Sequence, residues 1–422
     1  MMKLTNENVN YSATVVRIHN LIPAENSDNL AIFPIHGMSC IVAKEAYDVG
    51  QMGIVFPAEC QLSDDFCSNN NLYTRSGGTN KDPNAKGYIE HKRRVKAIKL
   101  RGNKSTGLFM PLTSLDYLGI DTNQLVEGES FTHINGTEVC RKYVVKTREP
   151  KTNKTRGQTK KFRRIENKTF PEHWDTDMFL RNMDRYKDTD ELIITQKLHG
   201  TSARFTNQAV LRKLTWKDKV AKFFGANVSE YEYDTLAGSR RVIKDIKAES
   251  DHAHFYGSDL WNQWLEKVEH VIPKNWVLYG EIVGWVGDSL IQKGYSYRLP
   301  KGENELYIYR ITIVNEDGVV TDLSWDQIKH FCTYNGLKYV PELERCPFYN
   351  FFPDKWVDIN YNDCGYSQAV PLDPNSPCDE GVCIRREGGE PYVTKLKSPE
   401  FYLHETVLMD EGVIDTESAE SV

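Results

Sequence analysis

The ten residues Ile193-Ile194-Thr195-Gln196-Lys197-Leu198-His199-Gly200-Thr201-Ser202 constrain this chain more than any other stretch. An apolar, β-branched run leads to one lysine, and a glycine follows three residues later. The pattern predicts a buried strand that delivers Lys197 to a turn. A lysine so placed is held partly out of water. Desolvation disfavours its ammonium form, and the free amine is a good nucleophile toward phosphorus or a carbonyl carbon. Gly200 lacks a side chain, which suits a point where a phosphate or ribose comes close. Taken alone, Lys-x-x-Gly equally describes a surface lysine beside an ordinary turn, so the rest of the chain has to decide.

Five further segments succeed it in a telling order: Ser239-Arg240-Arg241, then Leu278-Tyr279-Gly280-Glu281-Ile282-Val283-Gly284, then Leu306-Tyr307-Ile308-Tyr309, then Asp379-Glu380-Gly381-Val382-Cys383-Ile384, and last Tyr392-Val393-Thr394-Lys395-Leu396-Lys397. In these residues the chain resembles the covalent nucleotidyltransferases, the superfamily of polynucleotide ligases and RNA capping enzymes. The resemblance implies that Lys197 attacks the α-phosphorus of ATP, giving lysyl-AMP and pyrophosphate. Lys395 and Lys397 are two apart on a predicted strand and so share a face. Over the α-phosphate they would neutralise charge and help keep Lys197 uncharged. Glu281 and Glu380 suit Mg²⁺ or Mn²⁺, since such a cation takes one or two carboxylates, several waters and substrate oxygens. The resemblance puts Glu380 on the metal's water shell and Glu281 on the metal shell or the ribose. It also implies that Arg240 contacts ribose or the RNA terminus and that Tyr309 stacks on adenine. Judged singly, these are equally strand-edge lysines, solvated glutamates and a core tyrosine.

The chain departs from that family's usual pattern in two places. Gln196 stands where its members usually carry Glu, and its amide can pair with adenine N6 and a ring nitrogen. Ser202 stands where many carry Asn, which leaves its role open. His199, where DNA ligases commonly show Asp, points toward RNA ligases. The expected nucleotide site is therefore Gln196, Lys197, Gly200, Ser202, Arg240, Glu281, Tyr309, Glu380, Lys395 and Lys397.

Ahead of this region the chain reads as mostly β. Short β-branched runs at 11–18, 29–35, 39–43 and 53–56 are separated by Pro, Gly and Asn turns. Residues 91–100 alternate basic and apolar from Arg94 onward, which predicts a strand with one buried face and one carrying Arg94, Lys96 and Lys99. Such strands suggest a small barrel whose basic face holds a nucleic-acid backbone, with a solvated strand face as the equal alternative. The stretch VKAIKLRGNKSTGLFMPL resembles the N-terminal OB domain of the family 5, Naegleria-type RNA ligases, which implies RNA contacts at Arg94, Lys96, Lys99 and Arg101. Residues 101–107 look like the end of a phosphate-binding P-loop, but the full spacing is absent and Pro111 comes soon after, so they read as a turn. Residues 61–86 are polar and read as a long mobile loop.

The sequence thus divides into an OB-fold RNA-binding domain (1–140), a basic linker (141–169), a nucleotidyltransferase domain (170–409) and an acidic disordered tail (410–422). The linker is strongly basic, against only Glu149 and Glu166, and would concentrate a polyanion. In the second domain helices are predicted over 259–271, with an aromatic stripe that reads as core, and over 323–336, with Ser324 and Gln327 at capping-box spacing. The fold class is α+β: an N-terminal OB-fold β-barrel plus an ATP-grasp-like adenylyltransferase domain of antiparallel sheets with flanking helices. Little comes after the last motif, so no C-terminal domain is expected.

A net charge of −6 leaves local basicity to carry any nucleic-acid argument. Nine cysteines without a Cys-x-x-Cys pair read as reduced thiols. No signal peptide or membrane span is read, so the expectation is a soluble cytoplasmic or nuclear protein, a monomer. The expected activity is ATP-dependent joining of 3′-OH and 5′-phosphate RNA ends, at nicks. The alternatives are a GTP-using capping enzyme and a non-catalytic RNA-binding protein with a degenerate transferase domain.

Overall fold

A computed structural model describes residues 2–145, 164–247, 259–357, 368–388 and 391–412. The middle of the basic linker (146–163) and the end of the acidic tail (413–422) lie outside the described residues.

The first β-branched runs become the walls of a small barrel. Strand β1 (Ala13–Arg17) pairs antiparallel with β4 (Met52–Pro57), which pairs with β5 (Gly107–Pro111). Strands β2 (Leu30–Ile35) and β3 (Met38–Ala43) form a hairpin across a two-residue turn. Their inward residues, including Phe33, Val55 and Phe109, bury completely or nearly so. Burial of such side chains is worth roughly 1.5–3 kcal/mol each.

Two expectations fail here. Residues 61–86 are not a free loop: they contain α1 (Asp64–Asn69), capped by the Ser63 hydroxyl. The buried Asn80 then serves as a backbone surrogate, accepting from Tyr73 N at 2.9 Å and donating to Tyr73 O at 2.9 Å. Polarity marks this segment as internally bonded rather than mobile. Residues 91–100 are not one alternating strand either; only Ile98–Leu100 is β. Val95, Ala97 and Arg94 are all buried, so the predicted cationic face does not form.

The second domain is two sheets with helices alongside. In one, Asp177–Met178, β13 (Tyr392–Lys397), β12 (Gly381–Arg386), β6 (Glu191–Gln196) and β11 (Glu342–Pro347) stand in that order. In the other the order is Ile243–Lys244, β8 (Tyr231–Gly238), β7 (Thr201–Leu211), β9 (Trp276–Val286), β10 (Asn304–Val314) and Val320–Asp322. The main strands are antiparallel. Both sheets share the chain segment 197–200, which leaves β6 and enters β7.

Helix α2 (Trp216–Phe223), begun by a Thr215–Asp218 capping box, buries none of its residues. Helix α3 (Leu260–Val268) buries Leu260, Trp261, Leu265 and Val268, so the aromatic stripe is core as its spacing suggests. The Trp261 indole donates to Ser202 O at 3.1 Å and fixes the start of β7. Helix α4 (Trp325–Tyr334) has the predicted Ser324–Gln327 capping box.

Helix α5 (Pro399–Asp410), begun by the Ser398 cap and Pro399, comes after the last motif and turns back onto the barrel. Arg94 donates to Thr406 O at 3.1 Å and to Asp410 Oδ1 at 2.6 Å, and Ala97 N donates to Thr406 Oγ1 at 3.1 Å. On the other side Arg181 reaches into the barrel, donating to Asn10 O at 3.0 Å and Ser12 O at 3.1 Å. Burial lowers the pKa of Arg181. A buried guanidinium needs these carbonyls, because unpaired it would cost several kcal/mol. No helix among the described residues is long and apolar enough to cross a membrane, and the eight cysteines among them are free thiols.

Candidate active site

Lys197 sits where the chain passes from one sheet to the other. Its backbone N donates to Gly381 O at 3.0 Å, and Gly381 pairs in register with Lys397. Lys197, Gly381 and Lys397 therefore line up across β6, β12 and β13 on one face. One step back along each strand, Thr195, Cys383 and Lys395 form a second row on the same face. Gly381 adopts φ +132°, and a Cβ there would lie 2.1 Å from Leu396 O. Only glycine permits this crossing of strands.

Gly200 has an equally mechanical reason. A Cβ at this position would lie 2.2 Å from Ile282 O, so the constraint comes from β9 rather than from a phosphate. Gly200 N donates to Glu281 Oε1 at 2.9 Å, and its carbonyl accepts from Gln292 at 2.6 Å. Gly200→Ala is expected to destabilise the fold by about 1–3 kcal/mol through overpacking, read as a lower urea midpoint at unchanged slope.

The Lys197 ammonium lies 2.6 Å from Glu380 Oε1, and that of Lys397 lies 3.8 Å from the same oxygen. Glu380 is only 4% exposed. Burial works against its carboxylate, but Lys197, His199 and Lys397 hold its pKa far below the usual carboxylate range. Burial likewise works against the Lys197 ammonium, yet Glu380 outweighs it and the pKa is raised. This reverses the sequence expectation of an amine freed by desolvation. A carboxylate at contact distance stabilises the cation by more than partial burial destabilises it.

The depressed lysine is Lys395, at about 8, through burial first and then Lys397 and Lys197. Lys397 is the reverse: despite burial, Glu405 at 2.8 Å and Glu380 raise it well above its ordinary value.

Across the seam, Glu281 on β9 stands opposite Ser202 on β7, whose hydroxyl lies 3.5 Å from Glu281 Oε2. A cleft between the sheets is lined by Lys197, Ser202, Arg240, Glu281 and Tyr309, with Gln196 at its edge. His173, Trp174, Tyr279 and Arg310 are among the other residues of the wall, and sequence reasoning did not single them out for the site. His173 bonds the Tyr309 hydroxyl, and Arg310 stacks 3.4 Å from the Trp174 ring centre. Arg240 pairs with Asp175. The aromatic wall is assembled from β9, β10 and the segment just after the linker, so no local motif announces it.

Gln196 departs from its expected role. Its amide donates to Val370 O at 2.8 Å and accepts from Val370 N at 2.8 Å, and it is 1% exposed. Both functions assigned to the base are engaged by backbone. The four barrel cations also separate. Arg94 is 3% exposed and bound to α5, and Lys96 pairs with Glu90 and Asp410, while Lys99 and Arg101 are exposed.

Among the described residues no group of three or more His, Cys, Asp or Glu side chains is placed to hold a metal by itself. What is present fits a hydrated cation better. Glu380 Oε2 is buried, 3.5 Å from His199 Nδ1 and with no hydrogen bond among the described residues. One or two carboxylates, with water and substrate oxygens, match the preference of Mg²⁺ or Mn²⁺.

A small β-barrel followed by an α+β domain with a lysine at the seam of two sheets defines the class of chain. Residues 12–112 match an OB-fold domain, and residues 190–397 match the RNA ligase family. No curated protein sequence matches it. Among solved structures, Naegleria gruberi RNA ligase with PPi is 16% identical, with TM-score 0.55, covering 93% of this chain and 98% of that one. A mutant of the same ligase with ATP and Mn is 17% identical, with TM-score 0.57 and the same coverage. Another mutant, with AMP and Mn, is 16% identical at TM-score 0.56, again over 93% and 98%. At such identities the likeness is one of fold, and it takes in both domains.

Proposed function

We propose that this enzyme is an ATP-dependent RNA ligase that seals 3′-OH and 5′-phosphate ends at nicks through a lysyl-AMP intermediate on Lys197. The carrying observation is the Lys197 ammonium 2.6 Å from buried Glu380, with Lys397 sharing that carboxylate and Glu281 across the seam. The Naegleria structures with ATP, AMP and Mn agree with this choice of nucleotide and metal.

In the first step Lys197 loses its proton and Nζ bonds to the α-phosphorus, while the bond from that phosphorus to pyrophosphate breaks. Glu380 orients that amine but, with its lowered pKa, is a poor acceptor, so the proton departs to solvent. Glu281 and Glu380 would hold a divalent cation, which would supply charge to offset the carboxylates and the phosphates. Lys395 and Lys397 add two cations from the same face, so charge on the leaving pyrophosphate meets preformed positive groups. In the second step an RNA 5′-phosphate oxygen attacks the AMP phosphorus and the Nζ–P bond breaks, returning the lysine. In the third the RNA 3′-OH attacks the 5′-phosphorus, its proton departs and AMP leaves. Each step is phosphoryl transfer, where positioning and charge dominate. The exposed Lys99 and Arg101 are the barrel cations that remain open to an RNA backbone.

Since Val370 engages the Gln196 amide, choice of base falls to the wall of His173, Trp174 and Tyr309. Labelling purified protein with α-labelled ATP and GTP in parallel tests the reading. A covalent adduct with ATP is expected, and adduct with GTP alone would reassign the enzyme to capping. No adduct with either, together with salt-dependent RNA binding, would make the domain a non-catalytic binder. A panel of nicked and single-stranded RNAs in the same assay reports which ends are sealed.

A further inference from the structure

The barrel sends one carboxylic acid toward the active site, and no step of the proposed reaction uses it. Glu59 lies between β4 and α1, and is 6% exposed. Its backbone is pinned on both sides: Glu59 N donates to Val95 O at 2.7 Å, and Tyr143 N donates to Glu59 O at 2.9 Å. Its φ is +67°, the left-handed region that glycine occupies freely and a glutamate does not. The side chain lies against Glu405 of α5, next to Lys397, with Arg94 also within electrostatic reach. Its charge is also felt by the Tyr11 and Tyr402 hydroxyls, whose pKa values burial raises and that charge helps to raise further. Glu59 Oε1 has no hydrogen bond among the described residues.

A strained backbone, a buried carboxyl and a like-charged neighbour are three separate costs at one residue. Such a combination persists where a side chain is needed at that place. What it touches gives the reason. Glu405 grips the Lys397 ammonium with both oxygens, at 2.9 and 2.8 Å. Buried Glu59 and partly buried Glu405 disfavour each other's charge, so one carries a proton and donates to the other. Burial and Glu405 push Glu59 up to about 8, which assigns it the proton at neutral pH. A protonated Glu59 fixes Glu405 in orientation, and Glu405 in turn fixes Lys397 within 3.8 Å of Glu380.

We propose that Glu59 is a positioning residue for nucleotidyl transfer: through Glu405 it holds Lys397 beside Lys197, so that the barrel completes the active site of the neighbouring domain. This rests on the lysyl-AMP reading. It gives the barrel a part in the first chemical step, before any RNA is bound.

The test uses the full chain and single-turnover adduct formation with α-labelled ATP, across ATP concentrations. Glu59→Gly removes the carboxyl and suits the left-handed backbone, so folding and thermal midpoint should hold or rise. Its maximal rate of adduct formation should fall about tenfold while the ATP concentration at half-maximal rate stays nearly constant. Glu59→Gln keeps a donor at the same place and should restore most of the rate. A Gly variant as fast as the parent would overturn the proposal, as would a Gln variant as slow as Gly. If the parent chain forms no adduct, the lysyl-AMP reading itself fails and this inference falls with it. Loss confined to the variants leaves that reading intact.

Discussion

Lys197→Ala should yield no AMP adduct at any ATP concentration or time, and no RNA sealing from ATP. Its amine is the group that the proposed first step bonds to phosphorus, and Lys395 and Lys397 serve as cations beside it. The lysine also offsets a carboxylate that is almost completely buried, so its removal should cost stability on the order of 3 kcal/mol. That creates an ambiguity which a second substitution resolves. Lys197→Arg keeps a cation beside Glu380 and should retain most of the thermal stability, yet a guanidinium is too weak a base to serve as nucleophile. Mass spectrometry of both variants after incubation with ATP and Mg²⁺ is the measurement. An AMP mass shift on either protein would remove Lys197 from its assigned role.

Lys395→Met is expected to slow adduct formation by about 10²-fold or more, as losing one preplaced charge at a developing anion commonly does. The same change should make the nucleotide-free protein more stable at pH 7. The sign comes from its lowered pKa, about 8 against an ordinary 10.5. Below pH 8 the lysine is charged in both folded and unfolded chains, and the fold bears the whole cost of burying that charge. Between pH 8 and 10.5 the unfolded chain binds more protons, so folding of the parent strengthens as pH rises. Thermal midpoints of the two proteins should therefore differ most below pH 8 and converge toward pH 10.5. A variant less stable than the parent at pH 7 would mean that Lys395 is paired in a way that offsets its burial.

Much of this was legible in the sequence because it is written locally. The barrel strands, the Ser324–Gln327 cap and the strands carrying Glu281 and Lys395 obey period and turn chemistry. What was missed depends on contacts far apart in the chain. Alternation at residues 91–100 mimics a strand, but Arg94 is drawn inward by Asp410, more than three hundred residues later. Burial of Lys197 was correctly anticipated, while its consequence was not, because the effect of Glu380 on its proton depends on a distance. Gln196 illustrates the same limit: its amide could read a base or a backbone, and only the position of Val370 distinguishes them. His173 and Glu59 belong to no motif: His173 becomes visible only beside Tyr309 on a distant strand, and Glu59 only when the two domains are together.

The seam between the sheets has a mechanical consequence. Glu380 immediately precedes a strand of one sheet and Glu281 lies on a strand of the other, with the reactive lysine on the short span that joins them. A cation held by both acids would tie the two sheets together across that span.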